Sequence, residues 1–184
     1  SSVFEKEKKD LFKIIYLGRL HSKKGVEELL NVFKHLSQPF SIEICGEGDR
    51  GIENNVISAD MSFPNITYHG AIYDKQKWNM LNHCGALILP SHSENFGYVV
   101  PEALSAGCLI MTTNKTPWVS LMNGRKGLIE IESVTEKAIS KALDQYYELL
   151  CTSDSNAFEV IMKENRCFYE KEFAFDSARK NYIN

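Results

Sequence analysis

Charged side chains accompany glycines at three places in this 184-residue sequence, and their types suit phosphates and sugar hydroxyls. The first place is Gly18-Arg19, followed by Lys24. An arginine can grip two phosphate oxygens at once, and a lysine adds a point charge. At the start of a helix, the positive helix end strengthens the attraction for an anion. Taken alone, this pattern is as typical of a solvated basic turn as of a diphosphate site.

The second place is Gly46-Glu47-Gly48-Asp49, directly after the apolar run 40–45. Glycines at such a position let the backbone approach a ligand closely. The sequence contains neither the GxGxxG fingerprint nor a Walker A phosphate loop. By itself, the segment is more typical of a turn than of a binding site.

The third place is the most informative, because Glu94 and Glu102 enclose a short apolar run. Phe96-Gly97 is predicted to open a helix and to offer backbone N–H groups there. Glu102 would then lie about a turn and a half into that helix and face the same cleft. Carboxylates accept hydrogen bonds from the paired hydroxyls of ribose or a hexose. A capping Glu94 and a solvated Glu102 would explain neither the glycine nor the paired acids.

Apolar runs alternate with helical patterns along the whole chain. Strands are predicted at 11–17, 40–45, 66–69, 86–89, 108–112 and 127–131. Helices are predicted at 25–36, 74–82, 97–106, 134–150 and 156–182, and residues 47–62 are predicted to be loop with at most a short helix. Helix caps are predicted at Asp74, at Thr116 before Pro117, and at a Ser133/Glu136 capping box.

This alternation predicts an α/β fold, namely a Rossmann-like, doubly wound parallel sheet of about six strands. Strands separated by helices form βαβ units, and right-handed crossovers place helices on both sheet faces. In such sheets, ligands bind at the carboxyl ends of the strands. All three charged places follow predicted strands, so they are expected to meet at that edge.

Composition narrows the function classes. The net charge of -3 and the pI of about 6.0 give no electrostatic footprint for nucleic acid. The five cysteines form no CxxC and the five histidines show no metal-ligand spacing, so buried reduced thiols and no metal site are expected. No apolar run approaches the roughly 20 residues of a membrane helix. The polar segment 1–10 is predicted to be a linker, and 11–184 a single domain with helices at its C-terminal end.

Together, these segments resemble the family-four retaining glycosyltransferases, which have the GT-B fold. The matching segments are YLGRLHSKKG (16–25), ICGEGD (44–49), ITYHGAIYD (66–74) and ILPSHSENFGYVVPEALSAG (88–107). The last contains the E-x7-E pattern of the family, from Glu94 to Glu102. The TPW stretch 116–118 is similar to bacterial capsule or lipopolysaccharide transferases. Trp118 is as consistent with packing as with stacking on a sugar.

The resemblance implies a site for a nucleotide-sugar made of Gly18, Arg19, Lys24, Gly46, Ile72, Glu94, Asn95, Phe96, Gly97, Tyr98 and Glu102. Arg19 and Lys24 would contact the donor diphosphate and, with Glu94, form the catalytic set. Glu94 and neighbouring backbone amides would hold the donor sugar, Glu102 the ribose, and backbone around Ile72 the nucleobase. The glycines would leave room for the ligand. The family needs no cofactor, and no DxD pair of a metal-dependent transferase is found.

A GT-B enzyme has two Rossmann-like domains, and this chain resembles the C-terminal, donor-binding one. The resemblance therefore implies a missing N-terminal acceptor-binding domain, through which peripheral membrane association could occur. The isolated chain is expected to bind a UDP- or GDP-linked sugar but to transfer hexose poorly. It is expected to be cytoplasmic, at the inner membrane face when joined to the missing domain.

Other functions fit parts of the pattern. A non-catalytic nucleotide-sugar-binding subunit and a GT-B nucleotide-sugar epimerase both remain open. A receiver-like signalling module is disfavoured, because its phosphoacceptor aspartate would follow a strand. Here the strands are followed by Gly18, Gly46, Gly70 and Pro90.

Overall fold

The computed structural model describes residues 8–153 and 155–173, which form one sheet with helices on both faces. The strands are β1 (Asp10–Leu17), β2 (Ser41–Cys45), β3 (Ile66–Gly70), β4 (Cys84–Leu89), β5 (Leu109–Thr113) and β6 (Leu128–Ile131). All neighbouring strands pair in parallel, in the order β3-β2-β1-β4-β5-β6. The predicted six-stranded Rossmann-like sheet is confirmed.

Seven α-helices lie within the described ranges, and a single 3-10 turn, Ser22–Lys24, precedes the first of them. They are α1 (Val26–Lys34), α2 (Arg50–Ser62), α3 (Asp74–His83), α4 (Val99–Ser105), α5 (Trp118–Leu121), α6 (Glu136–Thr152) and α7 (Ser155–Glu172). No helix in these ranges combines the length and apolar character needed to cross a bilayer. The predicted helix 156–182 corresponds to α7, and its last part lies outside the described residues.

Side chains alternate across the sheet and create two buried layers. From β1, Ile14 and Tyr16 join the layer under α1, α2 and α6, whereas Ile15 joins the layer under α3, α4 and α5. Helix α7 contributes to both, with Phe158 in the first layer and Phe168 in the second. Because neighbouring side chains of a strand point to opposite faces, a strand apolar throughout must be covered on both.

The strand order reverses its direction of growth between β1 and β4. Residues of β1 pair with β2 on one side and with β4 on the other, as at Ile14, which lies opposite Ile42 and Ala86. The connections leaving β1 and β4 then run to opposite faces of the sheet. A crevice opens between them at the carboxyl ends of the strands, which is where doubly wound folds bind ligands.

The sheet begins earlier than predicted. Lys9 is buried, and its Nζ donates hydrogen bonds to the carbonyl oxygens of Leu81 (2.5 Å) and Cys84 (2.7 Å). Asp10 is the first residue of β1. The predicted linker 1–10 therefore ends too late, because a buried lysine with its ammonium bound to backbone carbonyls belongs to the domain. Residues 1–7 of that segment lie outside the described residues.

The prediction of loop with at most a short helix over 47–62 is wrong, since the 13-residue helix α2 forms most of this segment. Asp49 caps the helix by accepting hydrogen bonds from the N–H groups of Gly51 and Ile52. Only a narrow stripe of α2 is buried, at Ile52, Val56 and Ala59. Its spacing is helical, but the many polar residues between its members weaken the pattern.

Three predicted caps and one helix start are also wrong. Asp74 is the first residue of α3, with a φ of 44°, and Tyr73 occupies the cap position. The hydroxyl of Thr116 donates to the Thr113 carbonyl and does not cap α5, whose cap position is occupied by Pro117. Thr135 rather than Ser133 caps α6. Helix α4 begins at Val99, two residues after Gly97, because Gly97 has a positive φ of 70°.

Candidate active site

A cavity of about 620 Å³ opens at the carboxyl ends of β1, β2 and β3. Four residues of the predicted site line it, namely Gly18, Arg19, Gly46 and Ile72. The remaining lining residues are Leu17, Cys45, Glu47, Gly48, Arg50, Glu53, Ala71 and Tyr73. The cavity therefore lies at the sheet edge at which the sequence predicts the nucleotide.

Backbone against backbone forms the wall between β1 and β2. A Cβ on Gly46 would lie 1.9 Å from the carbonyl oxygen of Gly18, and Gly46 has a φ of 146°. The Gly18 N–H donates to the Cys45 carbonyl at 3.0 Å, and the Gly46 N–H donates to the Gly70 carbonyl at 2.7 Å. Only glycine satisfies both the φ and the close approach at position 46.

The loops that follow β1 and β2 are joined a few residues further on. The Leu20 N–H donates to the Glu47 carbonyl at 3.0 Å, and the Leu20 carbonyl accepts from the Asp49 N–H at 2.8 Å. A Cβ on Gly48 would lie 2.2 Å from the Leu20 carbonyl oxygen. These contacts fix the entrance to α2, whose first residue, Arg50, faces the cavity.

Tyr16 supports the turn that carries Arg19. Its phenol is fully buried and donates to the Arg19 carbonyl at 2.8 Å. Burial raises the pKa of Tyr16 well above its usual range, and the charge of Glu94 raises it further. The phenol therefore remains a neutral donor, and the Arg19 backbone is held while its side chain stays exposed at the cavity.

Lys24 and Glu94 form a partly buried ion pair. The Lys24 Nζ lies 2.5 Å from Glu94 Oε1, and the two side chains are 21% and 16% exposed. The pair forms because the turn before α1 packs on the loop after β4: the His92 N–H donates to the Lys23 carbonyl at 2.8 Å. A Cβ on Gly25, whose φ is 66°, would lie 2.2 Å from the Pro90 carbonyl oxygen.

Glu102 is held by a cation from a different helix. The Lys77 Nζ of α3 lies 2.5 Å from Glu102 Oε1 of α4, and the side chains are 23% and 29% exposed. Lys77 also lies 5.7 Å from the centre of the Trp78 ring. The structure thus gives each carboxylate of the E-x7-E pattern one lysine partner. Lys77 was not among the predicted site residues, although its place early in the helix after β3 was the available signal.

The segment between the two glutamates is anchored by an aromatic contact. Phe96 packs against Tyr98 and Trp118, each with ring centroids 5.1 Å away. The Trp118 Nε1 donates to the Phe96 carbonyl at 2.5 Å. Trp118 is fully buried, so it cannot stack on a sugar, whereas Asn95 and Tyr98 are exposed.

The predicted residues therefore fall into two adjoining groups. Gly18, Arg19, Gly46 and Ile72 surround the cavity, while Lys24, Glu94 to Tyr98, and Glu102 lie on the loop and helix after β4 and on the turn before α1. We name the first group the nucleotide half and the second the sugar half of the cleft, after the ligand parts that the resemblance implies for most of their residues; Glu102, for which it implies the ribose, lies in the second group. No cluster of three potential metal ligands occurs among the residues that the structure describes.

Three further residues of the nucleotide half, Arg50, Glu53 and Tyr68, were not predicted from the sequence. The Tyr68 hydroxyl lies 3.0 Å from the Gly46 carbonyl oxygen and 2.7 Å from Glu53 Oε1. Burial and then Glu53 raise the pKa of Tyr68 to about 12. Glu53 and Arg50 were missed because they belong to α2, which the sequence pattern did not predict.

The sequence of this chain is similar to those of known proteins. The family described as glycosyl transferases group 1 matches residues 2–155. The chain belongs to this family. Among its curated members, a capsular polysaccharide biosynthesis glycosyltransferase of Staphylococcus aureus is 29% identical over 171 residues, which are 90% of this chain and 43% of that protein. The chain thus spans less than half the length of this relative.

Solved structures of glycosyltransferases share the fold. A glycosyltransferase from Rickettsia africae superposes with a TM-score of 0.77 at 20% identity, covering 95% of this chain and 47% of that one. The pneumococcal O-GlcNAc transferase in complex with UDP and GlcNAc gives a TM-score of 0.72 at 17% identity, covering 94% and 35%. The predicted membership of the GT-B glycosyltransferases is confirmed at the level of family and fold.

Proposed function

We propose that this chain is the donor-binding domain of a retaining glycosyltransferase. The enzyme would transfer a hexose from a nucleotide-diphosphate sugar to a glycan or lipid-linked acceptor held by an N-terminal domain. The observation that carries the proposal is the cleft in which the turns after β1 and β2 enclose a glycine-walled cavity beside the Lys24–Glu94 pair. Family membership supports the reaction class.

The nucleotide half has the size and lining expected for a nucleoside. Its volume of about 620 Å³ falls in the usual range of small-molecule pockets, about 300–1,000 Å³. Ile72 offers a buried apolar side chain, and the neighbouring backbone would meet the edge of the base. Glu102 would accept hydrogen bonds from the ribose hydroxyls while Lys77 holds its carboxylate.

The diphosphate would lie between the two halves, where Arg19 and Lys24 supply positive charge. Lys24 spends one of its three N–H donors on Glu94, which leaves two for phosphate oxygens. When the bond between sugar and phosphate breaks, negative charge grows on the leaving diphosphate. Cations fixed beside that position stabilise the transition state more than the ground state. The proposed reaction uses neither a metal ion nor a cofactor.

The donor sugar would occupy the sugar half. Glu94 and the backbone amides of Asn95, Phe96 and Gly97 present one acceptor group and several donors to its hydroxyls. Glu94 is paired with Lys24 through Oε1, and its carboxylate has further lone pairs to accept hydrogen bonds from the sugar hydroxyls. The pneumococcal structure with bound UDP and GlcNAc supports such a ligand class for this fold.

Calorimetric titration with UDP, GDP and ADP tests the proposal. The wild-type chain is expected to bind one of them saturably, and Arg19→Ala and Glu102→Ala are each expected to weaken that binding. Loss of a hydrogen bond to a charged group costs about 1.5–3 kcal/mol, or at least tenfold in affinity. Lys141→Ala is the matched control, because Lys141 pairs with Glu132 on the exposed surface. Binding that survives both site substitutions would refute the proposed site.

A product assay distinguishes the other functions. Joined to its acceptor domain, the chain is expected to release a nucleoside diphosphate in proportion to the glycosylated acceptor. An epimerase would instead release nucleoside diphosphate and an altered sugar without any acceptor. A binding subunit would do neither. Robust transfer by the 184-residue chain alone would contradict the assignment of acceptor binding to another domain.

A further inference from the structure

Trp118 is the largest side chain that is completely buried beside the sugar half. Its indole Nε1–H donates to the Phe96 carbonyl at 2.5 Å, and its ring packs against Phe96 and Phe173, with centroid distances of 5.1 and 5.4 Å. A buried indole N–H usually finds such a partner. The partner here is a backbone carbonyl in the segment between the two glutamates.

This hydrogen bond also sets the direction of the next backbone donor. The peptide joining Phe96 and Gly97 is trans and planar, so its C=O and N–H point in opposite directions. Since the Phe96 carbonyl points at the buried Trp118, the Gly97 N–H points away from Trp118. Within residues 8–153 and 155–173, the Gly97 N–H meets no hydrogen-bond acceptor.

The end of β5, the strand that precedes Trp118, is hydrogen-bonded to the end of β4 and to the loop after it. The Thr112 hydroxyl donates to the Leu89 carbonyl at 3.0 Å, and the Thr113 hydroxyl donates to the Ser91 carbonyl at 2.6 Å. The indole N–H adds a further link between the segments after β4 and β5, directly at the Phe96–Gly97 peptide.

Gly97 completes the arrangement through its backbone conformation. Its φ of 70° lies in the left-handed region, which a side chain disfavours. A Cβ at this position would meet the Trp118 Nε1 only at an ordinary contact distance of 3.5 Å. The constraint at position 97 is thus the peptide orientation, not a lack of space.

We propose that Trp118 is a positioning residue for the donor sugar. Its indole N–H holds the Phe96–Gly97 peptide so that the Gly97 N–H is presented to an oxygen of the sugar. The inference rests on the proposed function, because it assigns a role within the same cleft. It predicts that removing the indole N–H weakens binding of the sugar moiety while the nucleoside diphosphate binds as before.

The test compares Trp118→Phe with Phe173→Leu. Phenylalanine keeps an aromatic ring but lacks the donor, whereas Phe173→Leu alters packing on Trp118 and leaves its hydrogen bond in place. The titrated pairs are UDP with UDP-glucose, GDP with GDP-mannose, and ADP with ADP-glucose. In Trp118→Phe, the affinity ratio of nucleotide-sugar to nucleotide is expected to fall about three- to tenfold. In Phe173→Leu, the ratio is expected to stay at the wild-type value.

The outcomes separate the two proposals. If no nucleotide and no nucleotide-sugar binds the wild-type chain, the proposed function fails. If the wild type binds them but Trp118→Phe leaves the ratio unchanged, or both variants lower it equally, only the role of Trp118 is overturned. Equal affinity of the wild type for nucleotide and nucleotide-sugar would overturn that role too.

Proton–nitrogen spectra show whether Trp118→Phe is folded and whether the indole of Trp118 is buried in the wild type. The chain has two tryptophans, and only Trp118 is buried, because Trp78 is 39% exposed. In a proton–nitrogen spectrum, one indole signal should exchange slowly with solvent and disappear in Trp118→Phe. The Gly97 amide signal should shift in that variant, while the other backbone signals keep their dispersion. A rapidly exchanging Trp118 indole signal in the wild type would overturn the inference.

Discussion

The two halves of the cleft are shaped by different kinds of contact. In the nucleotide half, glycine backbones of neighbouring turns touch directly, as where Gly46 meets the Gly18 carbonyl. In the sugar half, side chains set the geometry, through the Lys24–Glu94 pair and the indole of Trp118. Where two backbones touch, there is no room for an added side chain. Ion pairs tolerate small shifts but depend on both partners.

The nucleotide half thus depends mainly on shape, and the sugar half depends mainly on paired charges. The nucleotide half owes its form to close packing, so that substitutions there should alter folding and binding together. The sugar half contains carboxylates that are already paired, so that substitutions there should alter binding with less effect on stability. Variants chosen from each half can therefore test the distinction.

The largest effect is expected for Gly46→Ala. Its Cβ would lie 1.9 Å from a carbonyl oxygen at a φ of 146°, so both overlap and backbone strain arise. The free energy of unfolding should fall by about 3 kcal/mol or more, and nucleotide binding should be lost. Gly124→Ala is the control, since its φ of 77° is also positive but no atom lies within 4 Å. That variant should lose about 1 kcal/mol. Equal urea midpoints for the two variants would contradict the close-packing account.

The next effect concerns the sugar half. Lys24→Met removes a cation from the proposed diphosphate position and leaves Glu94 unpaired at 16% exposure. Nucleoside diphosphate affinity should fall at least tenfold, by about 1.5–3 kcal/mol. Lys77→Met removes the partner of the more exposed Glu102 and should have a smaller effect. Calorimetry of both variants tests this order, and the reverse order would place the diphosphate nearer to Lys77.

The smallest effect is a pH dependence at the floor of the nucleotide half. Burial raises the pKa of the Cys45 thiol from 9.0 to about 12. In the unfolded chain the thiol ionises first, so its contribution to stability is full below pH 9 and is lost as the pH rises towards 12. From this thiol alone, the free energy of unfolding should fall by about 1.4 kcal/mol between pH 7.5 and 10.

Urea unfolding at the two pH values measures this change, with Cys45→Ala as the matched variant. The alanine variant has no thiol to ionise and should lose less stability over the same interval. Buried tyrosines and the other buried thiols titrate in both proteins, so the comparison isolates Cys45. Identical losses in the two proteins would show that Cys45 is not shielded from solvent.

The strand pattern and the site segments were predictable because their signals are local. A buried parallel strand is apolar throughout, and a glycine or a charged residue after it is visible in the sequence. The helix α2 escaped prediction because its buried stripe, Ile52, Val56 and Ala59, is narrow and diluted by polar residues. Because α2 was not predicted, Arg50 and Glu53, which line the cavity, were not predicted either.

The partners of the two glutamates were not predictable in the same way. Lys24 was assigned to phosphate and Lys77 was overlooked, yet each lies 2.5 Å from a carboxylate more than twenty positions away. Such pairs depend on how α1, α3 and the β4 loop pack, which no local pattern contains. Helix caps were missed for a related reason, since several polar residues near each helix start could serve.

The central claim is that a nucleoside diphosphate binds at the carboxyl edge of the sheet, across both halves of the cleft. Proton–nitrogen spectra of the labelled chain during titration with UDP, GDP and ADP test it most directly. The amides of Gly18, Gly46 and Gly97 are expected to shift with one of the three nucleotides. The amide of Gly124, which lies before β6 and hence at the opposite edge, should not move. Shifts confined to Gly124 and its neighbours, with the three cleft glycines unchanged, would contradict the account.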